Sequence, residues 1–112
     1  MPDTAKESVG ALYQELYQQL SKAYWVASTL EGKDQIHGTI DVLYDVITKI
    51  NQTDFSNRTR AFQELSTEIS KLNEQLEKLK GKLDQIIHAV GVVSQVTNAI
   101  DQAVKQAAAL LV

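Results

Sequence analysis

The two histidines are the residues of this sequence best suited to metal binding or acid–base chemistry, and their spacing supports neither. His37 follows Asp34 in the pattern D-x2-H, and His88 follows Asp84 in the pattern D-x3-H. Neither histidine stands in the H-x3-H or E-x2-H spacing that zinc and di-iron helices use to place two ligands together. We therefore expect exposed histidines, no metal site and no cofactor.

Other catalytic groups are equally absent from the sequence. The chain has no Cys, which excludes thiolate nucleophiles, disulfides and cysteine-based metal sites. It contains no Gly-rich phosphate loop and no G-x-S-x-G motif. Its acidic residues fall at polar helix positions and form no convergent acid–base pair. The sequence predicts that the protein is not an enzyme and has no catalytic residues.

The charge distribution argues against nucleic acid as a partner. The 112 residues carry a formal charge of −3, and the two arginines, Arg58 and Arg60, are separated by one residue. Binding to a phosphate backbone requires clustered Lys and Arg, which this composition does not provide. Met1 to Gly10 lacks the basic and apolar regions of a signal peptide, so we expect a cytoplasmic protein or one exported without a classical signal.

Apolar residues recur in steps of three and four along the chain, which is the spacing of one helix face. A capping box at Thr4 to Glu7 predicts a first helix over about 4–31, ending at Gly32. Asp34 is the expected N-cap of a second helix over about 34–50. The polar run Asn51 to Asp54 predicts a turn over 51–55.

The longest heptad pattern runs from Phe62 to Leu111 without a skipped step. A 3.5-residue repeat held over about seven heptads is typical of helices that supercoil around partners. Gly81 and Gly91 lie outside the a and d positions, and the phase passes both unchanged. We therefore expect one continuous helix over 56–111, which would be about 80 Å long at 1.5 Å per residue.

These helices predict an all-α single domain over residues 1–112. The simplest architecture is a long antiparallel helical hairpin, or coiled coil, whose first arm is kinked at Gly32 and which oligomerises into a helical bundle. A compact three- or four-helix bundle with a break near Gly81 is the alternative.

The width of the apolar stripe suggests where copies associate. It is narrow up to Leu83 and widens beyond Ile86 and within the first helix, so a lone hairpin would expose a large apolar patch. Trp25 falls at an outer position, where an aromatic residue is a candidate interface anchor. The predicted interface residues are Trp25, Tyr17, Tyr24, Ile87, Val96 and Leu110.

The function that fits these patterns is a helical oligomerisation or protein–protein interaction module, such as an adaptor, a secretion-associated protein or a scaffold. Its expected partners are further copies of itself, as a dimer or larger assembly, and another helical protein. The alternative is a membrane-active protein that exposes residues 85–112 to lipid. The architecture resembles both small secreted helical hairpins with a W-x-G turn and α-helical pore-forming toxins, but Asn51 to Asp54 contains no such motif and the sequence indicates no family.

Overall fold

The computed structural model describes the backbone of residues 4–53 and 60–110, with side chains described for 7–53 and 60–109. These ranges contain five helices: α1 (Thr4–Val26), α2 (Leu30–Gln52), α3 (Arg60–Lys80), α4 (Leu83–Ile86) and α5 (Val90–Leu110). Within the same ranges β-type pairing is limited to one isolated bridge, between Ala27 and Ile87. The prediction of an all-α fold is confirmed.

The four long helices pack as an up-down-up-down bundle. Each is antiparallel to its neighbours, in the cyclic order α1, α2, α3, α5, and the short α4 prolongs the end of α3. Two ion pairs mark the antiparallel register: Lys49 Nζ lies 2.5 Å from Glu68 Oε1, and Lys80 Nζ lies 2.7 Å from Asp101 Oδ1. The molecule measures 44 × 21 × 19 Å, so the compact bundle is observed and the long hairpin is not.

The heptad patterns of α1 and α3 identify the core correctly. From Val9 to Ala27 and from Phe62 to Ile86 every position of the two patterns is buried, because these stripes face the bundle axis, whereas Leu30, at the end of the first pattern, is exposed. The α1 residues are Val9, Tyr13, Leu16, Leu20, Ala23 and Ala27, and those of α3 and α4 are Phe62, Leu65, Ile69, Leu72, Leu76, Leu79, Leu83 and Ile86. The spacing of the second helix predicts a buried stripe of Ile36, Ile40, Leu43, Ile47 and Ile50. Helix α2 buries all of these except Ile40, which is partly buried, and it also buries Thr39 and Val46.

Helix α5 buries only part of the stripe that its heptad phase predicts, namely Ile100 and Ala107. Its fully buried residues are Val96, Ile100, Ala103 and Ala107, whereas Val90 is exposed and Val93, Thr97 and Val104 are only partly buried. The chain reverses direction before α5, so the phase inherited from α3 no longer determines which face meets the core. The two alanines allow α5 to approach the rest of the bundle closely.

The break between the first two helices lies at residues 27–29, earlier than the expected kink at Gly32. Thr29 has an extended backbone, and its Oγ1 accepts a hydrogen bond of 2.9 Å from the Gly32 amide, which is N-cap geometry. Asp34 is therefore inside α2 and not its cap. Gly32 is a buried residue of the first turn, where its missing side chain makes room for Ile86.

The predicted continuous helix over 56–111 is wrong, because it is interrupted twice between Lys80 and Val90. The first interruption is mild: the Lys82 amide bonds to the Leu79 carbonyl in place of Lys78, and helical bonding resumes at Lys82. The second is a true reversal, at Ile87 to Ala89, where Ile87 has φ −122° and ψ 125°. The start expected at residue 56 lies outside the described residues.

The turn predicted over 51–55 begins later than expected. Asn51 and Gln52 still belong to α2, and Thr53 follows the helix with its amide bonded to the Ile50 carbonyl. The remainder of that prediction, residues 54 and 55, lies outside the described residues.

Two polar pairs fix how the helices meet inside the bundle. The Tyr13 hydroxyl donates to Asn73 Oδ1 at 2.8 Å, linking α1 to α3, and burial raises the pKa of Tyr13 well above its usual range. Gln75 Nε2 donates to the buried Thr39 hydroxyl at 3.2 Å, linking α3 to α2. Because a buried polar group is costly when unpaired, each pair disfavours sliding of one helix along the other.

Candidate interaction surface

One end of the bundle exposes four large apolar side chains, which we call the apolar end: Trp25, Val26, Leu30 and Val90. Their exposed fractions are 76%, 45%, 77% and 81% respectively. Each lies within three residues of the Ala27–Ile87 bridge, so two loops from different parts of the chain bring them to the same end. The apolar end is therefore formed by the fold and not by one segment.

The loop Ala27–Thr29 is held against the end of α4 by short hydrogen bonds. Both the amide and the hydroxyl of Ser28 donate to the Ile86 carbonyl, each at 2.8 Å. If Gly32 carried a Cβ, that atom would lie 2.5 Å from Ile86 Cγ2. Helix α2 therefore approaches Ile86 more closely than a residue with a side chain would permit. These contacts give the apolar end a fixed backbone, because the loop after α1, the first turn of α2 and the end of α4 all meet at Ile86.

Trp25 is supported from one side by the aromatic ring of Tyr24. The two rings meet edge to face, with centroids 5.3 Å apart and an interplanar angle of 86°. Tyr24 is itself half-buried, with Lys33 Nζ 5.4 Å from its ring centroid and the His37 ring 6.2 Å away. The Trp25 side chain thus projects from a packed base while its own surface stays open to solvent.

The apolar end carries no formal charge in its two loops. Residues 25–30 and 87–93 contain no Asp, Glu, Lys or Arg, although charged residues make up 22% of the chain. Charged side chains are depleted from the centres of protein interfaces, where their desolvation is costly. The composition of these two segments is therefore that of an interface centre.

The predicted interface residues differ in how exposed the structure leaves them. Trp25 is exposed as expected, and Tyr17 and Tyr24 are half-buried, with the Tyr17 ring 6.1 Å from that of Tyr44. Ile87 and Val96 are buried in the core of a single chain, which accounts for their apolar character without a partner. The Leu110 side chain lies outside the described residues.

Sequence reasoning missed Leu30 and Val90 as surface residues. Leu30 follows Ala27 in the three-and-four spacing of the first helix, and Val90 lies on the heptad pattern that starts at Phe62, so the spacing predicts that both are buried. Each is instead the first residue of its helix, next to a loop, where the stripe no longer faces the core. The uncharged composition of the two loops was the available signal.

The titratable groups of the described residues were compared with the convergent sets that hold metal ions. No group of three His, Asp or Glu side chains there converges on a point that could hold a metal ion. His37 Nδ1 lies 3.4 Å from Asp41 Oδ2, and both side chains are mostly exposed. A surface groove of about 510 Å³ lies between α3 and α5, and its polar lining includes Ser70, Glu74 and Lys78.

No helix within the described ranges combines the length and the apolar content that crossing a bilayer requires.

Comparisons with protein-family models, with curated proteins and with solved structures find no match to this chain.

Proposed function

We propose that this protein is a helical interaction module that binds a protein partner through its apolar end. The observation that carries the proposal is the exposure of four large apolar side chains at an end of the bundle where residues 25–30 and 87–93 carry no Asp, Glu, Lys or Arg. Single exposed apolar residues are ordinary on protein surfaces. A group brought together by two loops from distant parts of the chain is the pattern of a binding site.

The apolar end has enough surface to contribute substantial binding energy. Burying one large aliphatic side chain stabilises by about 1.5–3 kcal/mol. Trp25 adds an aromatic surface, and tryptophan is among the residues most often found at energetic centres of interfaces. Covering Trp25, Leu30 and Val90 together would therefore offset much of the entropy that association costs.

The rigidity of the site also favours recognition. The Ser28 and Ile86 hydrogen bonds and the Tyr24 ring hold these loops before any partner arrives, so little conformational entropy is lost on binding. A partner with an apolar helix face or a concave apolar pocket complements this convex end, and uncharged loops do not repel either.

Photo-cross-linking tests the proposal without knowledge of the partner. One variant replaces Trp25 with the aromatic cross-linker benzoylphenylalanine, and a matched control replaces Tyr44, an aromatic residue that is 61% exposed on α2. We expect a specific cross-linked protein from position 25 in cells that produce the chain, and none or different products from position 44. Identical products from both positions would contradict docking at the apolar end.

A second candidate function is contact with a membrane surface through the same end. The uncharged loops and the Trp25 side chain favour it, because tryptophan is enriched where protein meets the lipid headgroups. The basic residues nearby, such as Lys33, are accompanied by acidic ones such as Glu31 and Asp34, so anionic lipid is not specifically selected. If the protein contacts a membrane, the part of residues 85–112 that meets lipid is the exposed first turn of α5, since the α5 stripe beyond that turn is buried.

Liposome flotation separates the two functions. Binding to both neutral and anionic vesicles, lost when Leu30 and Val90 are changed to Gln, would support the membrane function. Absence of flotation, together with absence of dye release, would contradict it and leave the protein partner as the remaining proposal.

A further inference from the structure

The reversal at Ile87 to Ala89 interrupts a heptad pattern that is in phase on both of its sides. Leu79, Leu83 and Ile86 are buried before it, and the next positions of the same phase are Val90 and Val93. Val90 is 81% exposed, more than any other large apolar residue described. The sequence around the reversal thus keeps the pattern of one uninterrupted helix, while the bundle leaves part of that pattern unused.

Few backbone bonds separate the reversal from a helix. The amides of Ile86 and Ile87 already donate to the carbonyls of Lys82 and Leu83, respectively. The amide of Val93 donates to the carbonyl of Ala89. Residues 87–89 are Ile, His and Ala, all of which adopt helical backbone angles without strain. Straightening the chain there requires a change at only about three residues.

The Ile86 carbonyl is the point at which the two arrangements compete. In the bundle it accepts both the amide and the hydroxyl of Ser28 at 2.8 Å. In a continuous helix the same carbonyl would accept the amide of Val90, four residues later. Ser28 therefore stabilises the reversed form by occupying the helical acceptor that the straight form needs.

We propose that two copies of this chain exchange α5 by straightening residues 87–89. In the exchanged dimer each chain has α3, α4 and α5 as one helix of residues 60–110, about 75 Å long at 1.5 Å per residue. Each α5 then occupies, in the other copy, the place that it fills in its own bundle. The buried stripe of Val96, Ile100, Ala103 and Ala107 stays covered, now by a second copy.

The topology of the bundle permits this exchange. Helices α3 and α5 are antiparallel neighbours joined by the Lys80–Asp101 ion pair. Two straight helices related by a two-fold axis and running antiparallel place the α5 of each copy beside the α3 of the other, in the same relative direction. Domain swapping of this kind retains the contacts of the monomer, so its cost is confined to the hinge and to association entropy.

Cross-linking between copies identifies the exchange directly. One chain carries Lys80→Cys and the other Asp101→Cys, and the wild-type sequence has no cysteine that could interfere. The two chains are mixed at high concentration, allowed to exchange by partial unfolding and refolding, and treated with a short bismaleimide. We expect a covalent heterodimer joining positions 80 and 101, whereas dimers that meet only at their apolar ends would not bring these positions together.

A disulfide across the hinge supplies the control. Ala27 and Ile87 form an antiparallel bridge, where paired Cα atoms lie about 4.5–5.5 Å apart, within the range for a disulfide. Oxidised Ala27→Cys/Ile87→Cys should remain monomeric under conditions in which its reduced form exchanges. Equal dimerisation of the oxidised and reduced forms would overturn the proposed hinge.

Removal of the Ser28 hydroxyl tests the competition for the Ile86 carbonyl. We expect Ser28→Ala to lower the dissociation constant of the exchanged dimer by up to about a hundredfold, because each dimer forms from two chains and each chain loses one hydrogen bond worth up to about tenfold. Ser94→Ala, at an exposed position of α5, should leave it unchanged. If the wild type and Ser28→Ala both stay monomeric at millimolar concentration after refolding, the exchange proposal is contradicted. This result would leave the proposed docking of a partner at the apolar end unaffected.

Discussion

Replacing Gly32 and Gly38 separately with Ala should change stability in opposite directions, although both glycines lie in α2. A Cβ at Gly32 would lie 2.5 Å from Ile86 Cγ2 and 3.0 Å from Thr29 Oγ1. A Cβ at Gly38 would have no atom within 4 Å outside its own helix turn. Neither glycine has a left-handed backbone, so the expected difference comes from space and not from backbone strain.

The size of the effect follows from the crowding at Ile86. Carbon atoms in contact lie about 3.5–4.0 Å apart, so the Ile86 methyl must retreat by about 1 Å or more. Ile86 is buried, and its β-branched side chain is stiff at χ1, so the shift has to involve the backbone of α4. Overpacking costs about 1–3 kcal/mol, whereas Gly to Ala in an open helix position stabilises by up to about 1 kcal/mol.

Urea unfolding followed by far-UV circular dichroism measures both effects. We expect Gly32→Ala to lose about 1–2 kcal/mol of unfolding free energy and Gly38→Ala to gain up to about 1 kcal/mol, with similar slopes against denaturant. A Gly32→Ala variant as stable as Gly38→Ala would refute the close approach of α2 to Ile86. The fixed backbone of the apolar end would then lose one of its main supports.

Three further outcomes follow from named contacts. The raised pKa of Tyr13 keeps this side chain protonated in the folded chain, so above about pH 10 it ionises only in the unfolded state, and the wild type should lose up to about 1.4 kcal/mol of unfolding free energy per pH unit. Tyr13→Phe should remove this alkaline loss, as measured by urea unfolding from about pH 9 to 11. Glu68→Gln should lower stability only slightly, and the loss should largely vanish in 1 M salt, since the Lys49–Glu68 pair is partly exposed to solvent. An unchanged loss in salt would contradict a screened ion pair. Trp25→Ala should leave the thermal midpoint nearly unchanged because the side chain is mostly exposed, and a large decrease would mean that Trp25 belongs to the core.

Helix content and most of the core could be predicted from the sequence because apolar spacing reports directly on which face is buried. The stripes of α1 and α3 illustrate this, since all of their described positions face the bundle axis. Periodicity contains no information about where a helix reverses. Ile87 to Ala89 have ordinary helical composition, and the reversal depends on Ser28 and Gly32, which are distant in sequence.

The candidate site was predicted only in part for the same reason. Trp25 stood out because it fell on the polar side of its helix. Leu30 and Val90 matched the buried pattern, and only the positions of the two loops show that they are exposed. The assignment of α5 residues was right for Ile100 and Ala107 and wrong for Val90, because a reversal changes which face meets the core without any change in the repeat.

The affinity of the cross-linked partner for two matched double variants tests the role of the apolar end most directly. Leu30→Gln/Val90→Gln removes apolar surface from that end, and Val42→Gln/Tyr44→Gln removes exposed apolar surface from α2 away from the loops. Isothermal titration calorimetry should show binding weakened by about 100-fold or more in the first variant and by less than about threefold in the second. Equal affinities of the two variants, or a greater loss in the second, would contradict docking at the apolar end.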